Sequence, residues 1–176
     1  MKQKNWMIIG FAAFIILAGI WIYMANKAPQ VVFQTNFGDI AIQLDTRAKI
    51  TTDNFLSLVN SGFYNGITFH RVVPGFVIQA GDPSGTGTGG SNKIIPDEFI
   101  PLSNLRGTLA MANRGPNTGT SQFFINLVDN TNLDGHYPTF GQVVLGMDVV
   151  DKIARVPIDG NGKPLNNVTI IRAYVK

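Results

Sequence analysis

From residue 31 onward, apolar and polar positions alternate in short runs broken by Gly, Pro, Asn and Asp. Residues 31–35 and 38–44 read as two strands joined at Asn36-Phe37-Gly38. In the second, Ile40, Ile42 and Leu44 alternate with Ala41 and Gln43, the period of a half-buried strand. A helix follows. Thr51, Thr52 and Asp53 offer N-caps, Phe55, Leu58 and Val59 repeat at helical spacing, and Ser61-Gly62 ends the run. Asn65-Gly66 is a turn signal that leads into a strand at 67–73. The same patterning predicts strands at 76–80, 107–112, 122–127, 139–144 and 167–175. Val149, Val150 and Ile153 predict a second helix over 147–154. Strands that do not alternate regularly with helices argue against a doubly wound parallel sheet. The expected domain is mainly β, a closed eight-stranded antiparallel β-barrel capped by two α-helices.

The first 30 residues follow another pattern. Residues 5–26 carry no charged side chain and are mostly apolar. A helix of that length, at about 1.5 Å per residue, spans the roughly 30 Å hydrocarbon core of a bilayer. Trp6, Trp21 and Tyr23 sit near its ends, where amphipathic rings favour the interface. The barrel is therefore expected to be preceded by a single transmembrane helix. The alternative is a cleaved signal peptide. The run is long for a signal core, and Tyr23 and Asn26 spoil an A-x-A site around Ala25 and Ala28. Lys2 and Lys4 precede the run and Lys27 alone follows it closely, which puts the N-terminus in the cytoplasm. The expected organisation is a short cytoplasmic N-terminus at 1–4, a membrane anchor or signal peptide at 5–26, a linker at 27–30, and a domain at 31–176 held at the cell membrane and facing outside the cytoplasm. Release as a cleaved, secreted form is the variant of that placement.

Charge changes the picture in one respect. The formal net charge is +3, but three of the 14 basic residues are Lys2, Lys4 and Lys27. Residues 31–176 hold 11 basic against 11 acidic side chains, which leaves no electrostatic footprint for nucleic acid. The chain has no cysteine, so it has neither a disulfide framework nor a thiol nucleophile. His70 and His136 lie far apart and no metal-ligand spacing is present, so neither a metal site nor a cofactor is expected. No coiled-coil heptads are visible, and a monomer is the default. Gly85-Thr86-Gly87-Thr88-Gly89-Gly90 matches G-x-G-x-x-G in letters only. No helix start follows and no βαβ unit surrounds it, so it reads as a flexible surface loop.

Two runs carry candidate chemistry. Phe69-His70-Arg71-Val72-Val73-Pro74-Gly75-Phe76-Val77-Ile78-Gln79-Ala80-Gly81-Asp82 sets one arginine in an apolar strand, where an unpaired guanidinium is costly to desolvate. Met111-Ala112-Asn113-Arg114-Gly115-Pro116-Asn117-Thr118-Gly119-Thr120-Ser121-Gln122-Phe123-Phe124-Ile125 places a polar loop between apolar strands. Adjacent Phe123 and Phe124 point to opposite faces of a strand, so one fills the core and the other is free to line a site.

Both runs resemble the signature segments of cyclophilin-type peptidyl-prolyl cis-trans isomerases. Leu133-Asp134-Gly135, Phe140-Gly141 and Val143 resemble a third segment, and the likeness covers essentially all of 31–176. The compact loops and Ile95-Pro96-Asp97-Glu98-Phe99 look like bacterial members. The resemblance implies a catalytic group of Arg71, Gln79 and Phe124, with Arg71 stabilising the twisted amide and Gln79 holding Arg71 and the substrate backbone. It also implies a substrate-binding set of Phe76, Val77, Ala112, Asn113, Gln122, Leu133 and Tyr137, with proline-containing peptides and folding or unfolded proteins as partners. Val77 stands where the family usually has Met, Asn132 where it has Trp, and Tyr137 where it has His. Arg114 replaces a small residue at the groove edge. The expected function is acceleration of X-Pro isomerisation in extracytoplasmic folding. The alternatives are a cyclophilin-like module that grips proline peptides without catalysis, favoured by Val77 and Asn132, and a structural membrane protein with an incidental barrel.

Overall fold

The computed structural model describes residues 28–176. Eight strands and two helices follow the order read from the sequence: β1 (Gln30–Thr35), β2 (Gly38–Leu44), α1 (Lys49–Asn60), β3 (Arg71–Val73), β4 (Val77–Ala80), β5 (Thr108–Met111), β6 (Phe123–Asn126), β7 (Thr139–Leu145), α2 (Met147–Ile153) and β8 (Ile170–Val175). A 3-10 turn at Thr131–Leu133 links β6 to β7.

The strands form one antiparallel sheet in the order β3-β4-β6-β5-β7-β2-β1-β8. This corrects the closed barrel: the sheet is an open, curled half-barrel with β3 and β8 as its edges. The physical reason lies at β3. The Val72 N–H, on its outer edge, donates to Gly162 O at 2.7 Å, so a loop takes the place a closing strand would need. Asp159 organises that loop by accepting from the Asn161 and Lys163 N–H groups. The segment ahead of β3 reaches the start of β8 through an isolated Thr68–Thr169 bridge and hydrogen bonds between residues 66–69 and 168–170, but β3 itself does not pair with β8. The expected transmembrane helix at 5–26 lies outside the described residues. Among the described residues no helix is long and apolar enough to cross a membrane.

The core fills the hollow of the curl. Phe33, Phe55, Tyr64, Phe69, Phe123 and Phe140 are almost fully buried. Phe33 stacks on Phe123 at 5.2 Å between centroids, and Phe55 of α1 meets Phe140 edge-on at 5.1 Å. Such pairs add to their area burial. On the other helix, Val149, Val150 and Ile153 are buried.

Helix α1 starts at Lys49, ahead of the expected caps, with Ala48 at the N-cap and no capping side chain of its own. Glu98 supplies the missing acceptor from a distant loop, taking the Thr51 N–H at 2.6 Å and its hydroxyl at 2.9 Å. A carboxylate there satisfies an orphan donor and complements the positive end of the helix.

Candidate functional site

β3 and β4 form a hairpin closed by Pro74-Gly75. The Phe76 N–H donates to Val73 O at 3.0 Å and Gly75 takes φ +73°, the type II arrangement that glycine fills behind proline. The turn fixes the register, so Arg71 lies opposite Gln79. Gln79 in turn pairs with Phe124, and Phe124 with Ala110. Opposed residues share a face of the sheet, so Arg71, Gln79, Phe124 and Ala110 make one row across four strands.

Three of that row, Arg71, Gln79 and Phe124, line a cleft of about 180 Å³ together with Phe76, Val77, Ala112, Asn113, Leu133 and Tyr137, while Ala110 is buried beneath it. Nine of the ten site residues read from the sequence thus meet in one place. The tenth, Gln122, lines a smaller adjoining cleft. Val77 and Phe124 are buried, and Phe76, Ala112, Leu133 and Tyr137 pack around them in a satellite cluster separate from the main core. Tyr137 meets the Phe124 ring edge-on at 5.6 Å. The neighbouring phenylalanines divide as the strand period requires: Phe123 is in the main core and Phe124 in the cleft. Asn132 is exposed on the 3-10 turn beside Leu133.

Polar groups at the rim are held in series. Arg71 Nη1 donates to Gln79 Oε1 at 3.2 Å, and Gln79 Nε2 donates to Gln122 Oε1 at 2.8 Å. Gln122 Nε2 donates to Gly87 O at 3.0 Å and Gly89 O at 2.7 Å. Asn113 Nδ2 donates to His136 O, and among the described residues neither main-chain group of Asn113 has a backbone partner. An extended peptide laid along this edge finds a free donor and a free acceptor there.

The loop carrying Gly87 and Gly89 is not the flexible segment expected. It is wrapped around Asp82, which is buried and accepts from the Ser84, Thr86, Gly87 and Gly89 N–H groups. Burial opposes ionisation of Asp82, but the Ser84 hydroxyl and the Gly89, Ser84 and Gly87 N–H groups outweigh it and hold the carboxyl far below the usual carboxylate range. With the folded value depressed, the stabilisation is complete above the unfolded value near pH 4 and is lost as pH falls toward the folded value. Asp82→Asn is expected to lower stability by about 2–3 kcal/mol at pH 7, because several charge-assisted bonds weaken together. Denaturant melts of wild type and variant will converge as pH drops below about 4. A gap unchanged down to about pH 2 contradicts this account.

His70 is buried beside this loop, and neither ring nitrogen has a partner. Burial lowers its pKa, with Asp82 opposing and Arg71 and Lys163 adding to the shift. The imidazole is neutral at pH 7 and adds no second cation next to Arg71.

Several positioning residues escaped the sequence reading. Asn130 Nδ2 donates to Phe76 O at 3.0 Å and so anchors one wall of the cleft. Asp134 accepts from the Ser103 hydroxyl and the Asn104 N–H, and Asn104 Nδ2 reaches Tyr137 O at 3.1 Å, which ties down the opposite wall. Ser103, before the Asn104 donors, lowers the Asp134 pKa. Asn54 and Tyr64 hold the 113–121 loop from below by donating to Thr120 O and Ser121 O. Asp82 alone left a signal, since an Asp ahead of a Ser, Thr and Gly run is an Asx-turn nucleus.

Comparison with known proteins agrees with the fold. The model of the family "Cyclophilin type peptidyl-prolyl cis-trans isomerase/CLD" matches residues 30–175. Peptidyl-prolyl cis-trans isomerase-like 1 of Aspergillus fumigatus is 43% identical over 154 residues, covering 84% of this chain and 96% of the relative. Peptidyl-prolyl cis-trans isomerase ppi1 of Schizosaccharomyces pombe is 45% identical over 157 residues, covering 85% and 98%. A crystal structure of a cyclophilin type peptidyl-prolyl cis-trans isomerase from Cryptosporidium parvum superposes with a TM-score of 0.81 at 36% identity, covering 84% of this chain and 97% of that one. The same enzyme was also solved in the presence of the dipeptide Ala-Pro, with a TM-score of 0.81 at 35% identity, covering 84% and 98%. These relatives are eukaryotic and lend no support to the bacterial likeness read from the loops.

Proposed function

Because the chain belongs to the cyclophilin-type peptidyl-prolyl cis-trans isomerase family, we propose that it accelerates X-Pro isomerisation in proteins folding outside the cytoplasm, with Arg71 as the group that stabilises the twisted amide. The observation that carries the proposal is the Arg71 guanidinium, tethered by Gln79 at the edge of an apolar cleft floored by Val77 and Phe124.

Rotation about an X-Pro bond takes tens to hundreds of seconds because it breaks amide resonance, at a barrier of about 18–20 kcal/mol. No covalent bond is made or broken, so the chemistry asks for no nucleophile. A donor aimed at the prolyl nitrogen favours its pyramidal, deconjugated form, which is the form met at the top of the barrier. The proline ring sits on Phe76, Val77, Phe124 and Leu133. The Asn113 main chain and Gln79 hold the flanking peptide. A 10⁵-fold acceleration requires about 7 kcal/mol at ~1.36 kcal/mol per decade. One hydrogen bond is too little for that, so the cleft must also fix the twisted geometry.

The extracytoplasmic placement is supported by the uncharged apolar run at 5–26 behind Lys2 and Lys4. The protein acts as a monomer on extended, proline-containing segments of unfolded chains. The test is cis-to-trans relaxation of an X-Pro peptide with the 176-residue chain. The expected result is a rate proportional to enzyme concentration and well above the uncatalysed one. A folded chain that binds the peptide without accelerating it would establish the non-catalytic binding module instead. Protease protection in intact cells tests the placement, and a domain shielded by the cytoplasmic membrane refutes it.

A further inference from the structure

Beside the proline cleft lies a second one of about 70 Å³, lined by Gly87, Gly89, Thr118, Thr120, Gln122 and Arg114 and sharing Gln79, Ala112 and Asn113 with the first. A peptide that puts its proline over Phe124 and runs along Ala112-Asn113 must pass this opening. Resting on the proline-peptide groove proposed above, we infer that Arg114 makes it an acid-selective subsite, so that the preferred substrates carry an Asp or Glu near the proline.

The cavity is small. A small opening lined mainly by polar residues suits a compact polar head group better than a large apolar side chain. Its walls have no bulk, with two glycines, an alanine and two threonines. Gln122 has no donor left for an incoming carboxylate, because Nε2 donates to Gly87 O and Gly89 O. Arg114 is different. Its Nη2 donates to Gly87 O at 3.3 Å and to Thr88 O, which holds the guanidinium across the edge of the cleft. Among the described residues its Nε and Nη1 groups have no partner, and it forms no ion pair. Arg47 and Arg106, by contrast, are each bound to an aspartate. A planar donor fork that is already positioned and carries no counter-charge is suited to take a carboxylate in two parallel bonds. Arg71, the second cation of the groove, is also without an ion pair among the described residues, and the one anion behind the cleft wall, Asp82, is already engaged by the Ser84, Thr86, Gly87 and Gly89 N–H groups.

Peptides with a common Ala-Pro centre, and Glu, Gln or Lys walked through each flanking position, test the inference on the 176-residue chain. At one position the Glu peptide should show about three- to tenfold higher kcat/KM than the Gln peptide, through KM, with Lys worse than both. The Glu-to-Gln ratio should fall as salt rises. It should approach one in Arg114→Ala, while Arg114→Glu should prefer Lys. Equal treatment of Glu and Gln at every position, or a ratio unchanged in Arg114→Ala and Arg114→Glu, overturns it. If the chain binds these peptides without isomerising them, the proposed activity fails, but affinities for the same peptides still give the ratio that decides for or against Arg114.

Discussion

Arg71→Ala is expected to lower kcat/KM for X-Pro isomerisation about 10²- to 10³-fold while changing peptide affinity about threefold or less. The two quantities separate because different groups supply them. In the proposed mechanism, apolar contact with Phe76, Val77, Phe124 and Leu133 holds the proline ring in both ground and transition states, so it sets binding. On the same proposal the guanidinium meets a prolyl nitrogen whose lone pair becomes available only as the amide twists, so its contribution should appear in kcat. The expected loss corresponds to about 2.7–4 kcal/mol at ~1.36 kcal/mol per decade, the size seen when one preorganised donor is removed from an enzyme site. Arg71→Lys should recover about tenfold or less, since a point charge on a flexible stem lacks the fork that Gln79 Oε1 engages at 3.2 Å. Relaxation kinetics and peptide titration on the same preparations check both numbers. A variant within about threefold of wild type in kcat/KM would remove Arg71 from the mechanism and leave the cleft's shape as the source of catalysis.

Arg71, Gln79 and Phe124 were named through the resemblance, and short-range rules account for only part of how they line up: the Gln79–Phe124 and Phe124–Ala110 pairings join residues distant in sequence and were not legible. A Pro-Gly turn sets one register, and the strand period splits Phe123 from Phe124. What failed to show was always a contact between residues distant in sequence. A count of eight strands does not say whether the first and last edges join, and here Gly162 answers the Val72 N–H before a strand can. The start of α1 was misplaced because its acceptor is Glu98, 47 residues away. The 85–90 loop looked free because glycine and threonine runs usually are. Its order comes from a single buried carboxylate, Asp82, whose demand for N–H donors bends the backbone around it. The same bend aims Gly87 O and Gly89 O at Gln122. A structural anion thereby lies at the far end of the hydrogen-bond series that terminates at Arg71.

Phe123 and Phe124 are neighbours in sequence, yet truncating them should produce opposite kinds of damage. Phe123 is fully buried among Phe33, Phe55, Tyr64 and Phe69, with ring centroids 5.2–6.4 Å away. Phe123→Ala leaves an apolar cavity that water cannot stabilise, and is expected to cost about 3–5 kcal/mol. For a domain of this size that is a fall in Tm of about 10 °C or more. Its cleft residues are untouched, so the fraction that remains folded at low temperature should keep kcat/KM within a few-fold of wild type. Phe124 packs against Val77, Ala110 and Tyr137 on the outer face, where its removal enlarges a cleft already open to solvent. Water can fill that space, so the stability loss should be smaller, about 1–2 kcal/mol, while the floor under the proline ring disappears. Activity should then drop about 10- to 100-fold, with KM rising, since the lost contact serves ground and transition states alike. Melting curves and relaxation kinetics on the two variants, normalised to folded protein, separate the cases. Equal melting losses with equal residual activity would mean that the satellite cluster around Phe124 is part of the main core and that the cleft is not where proline binds.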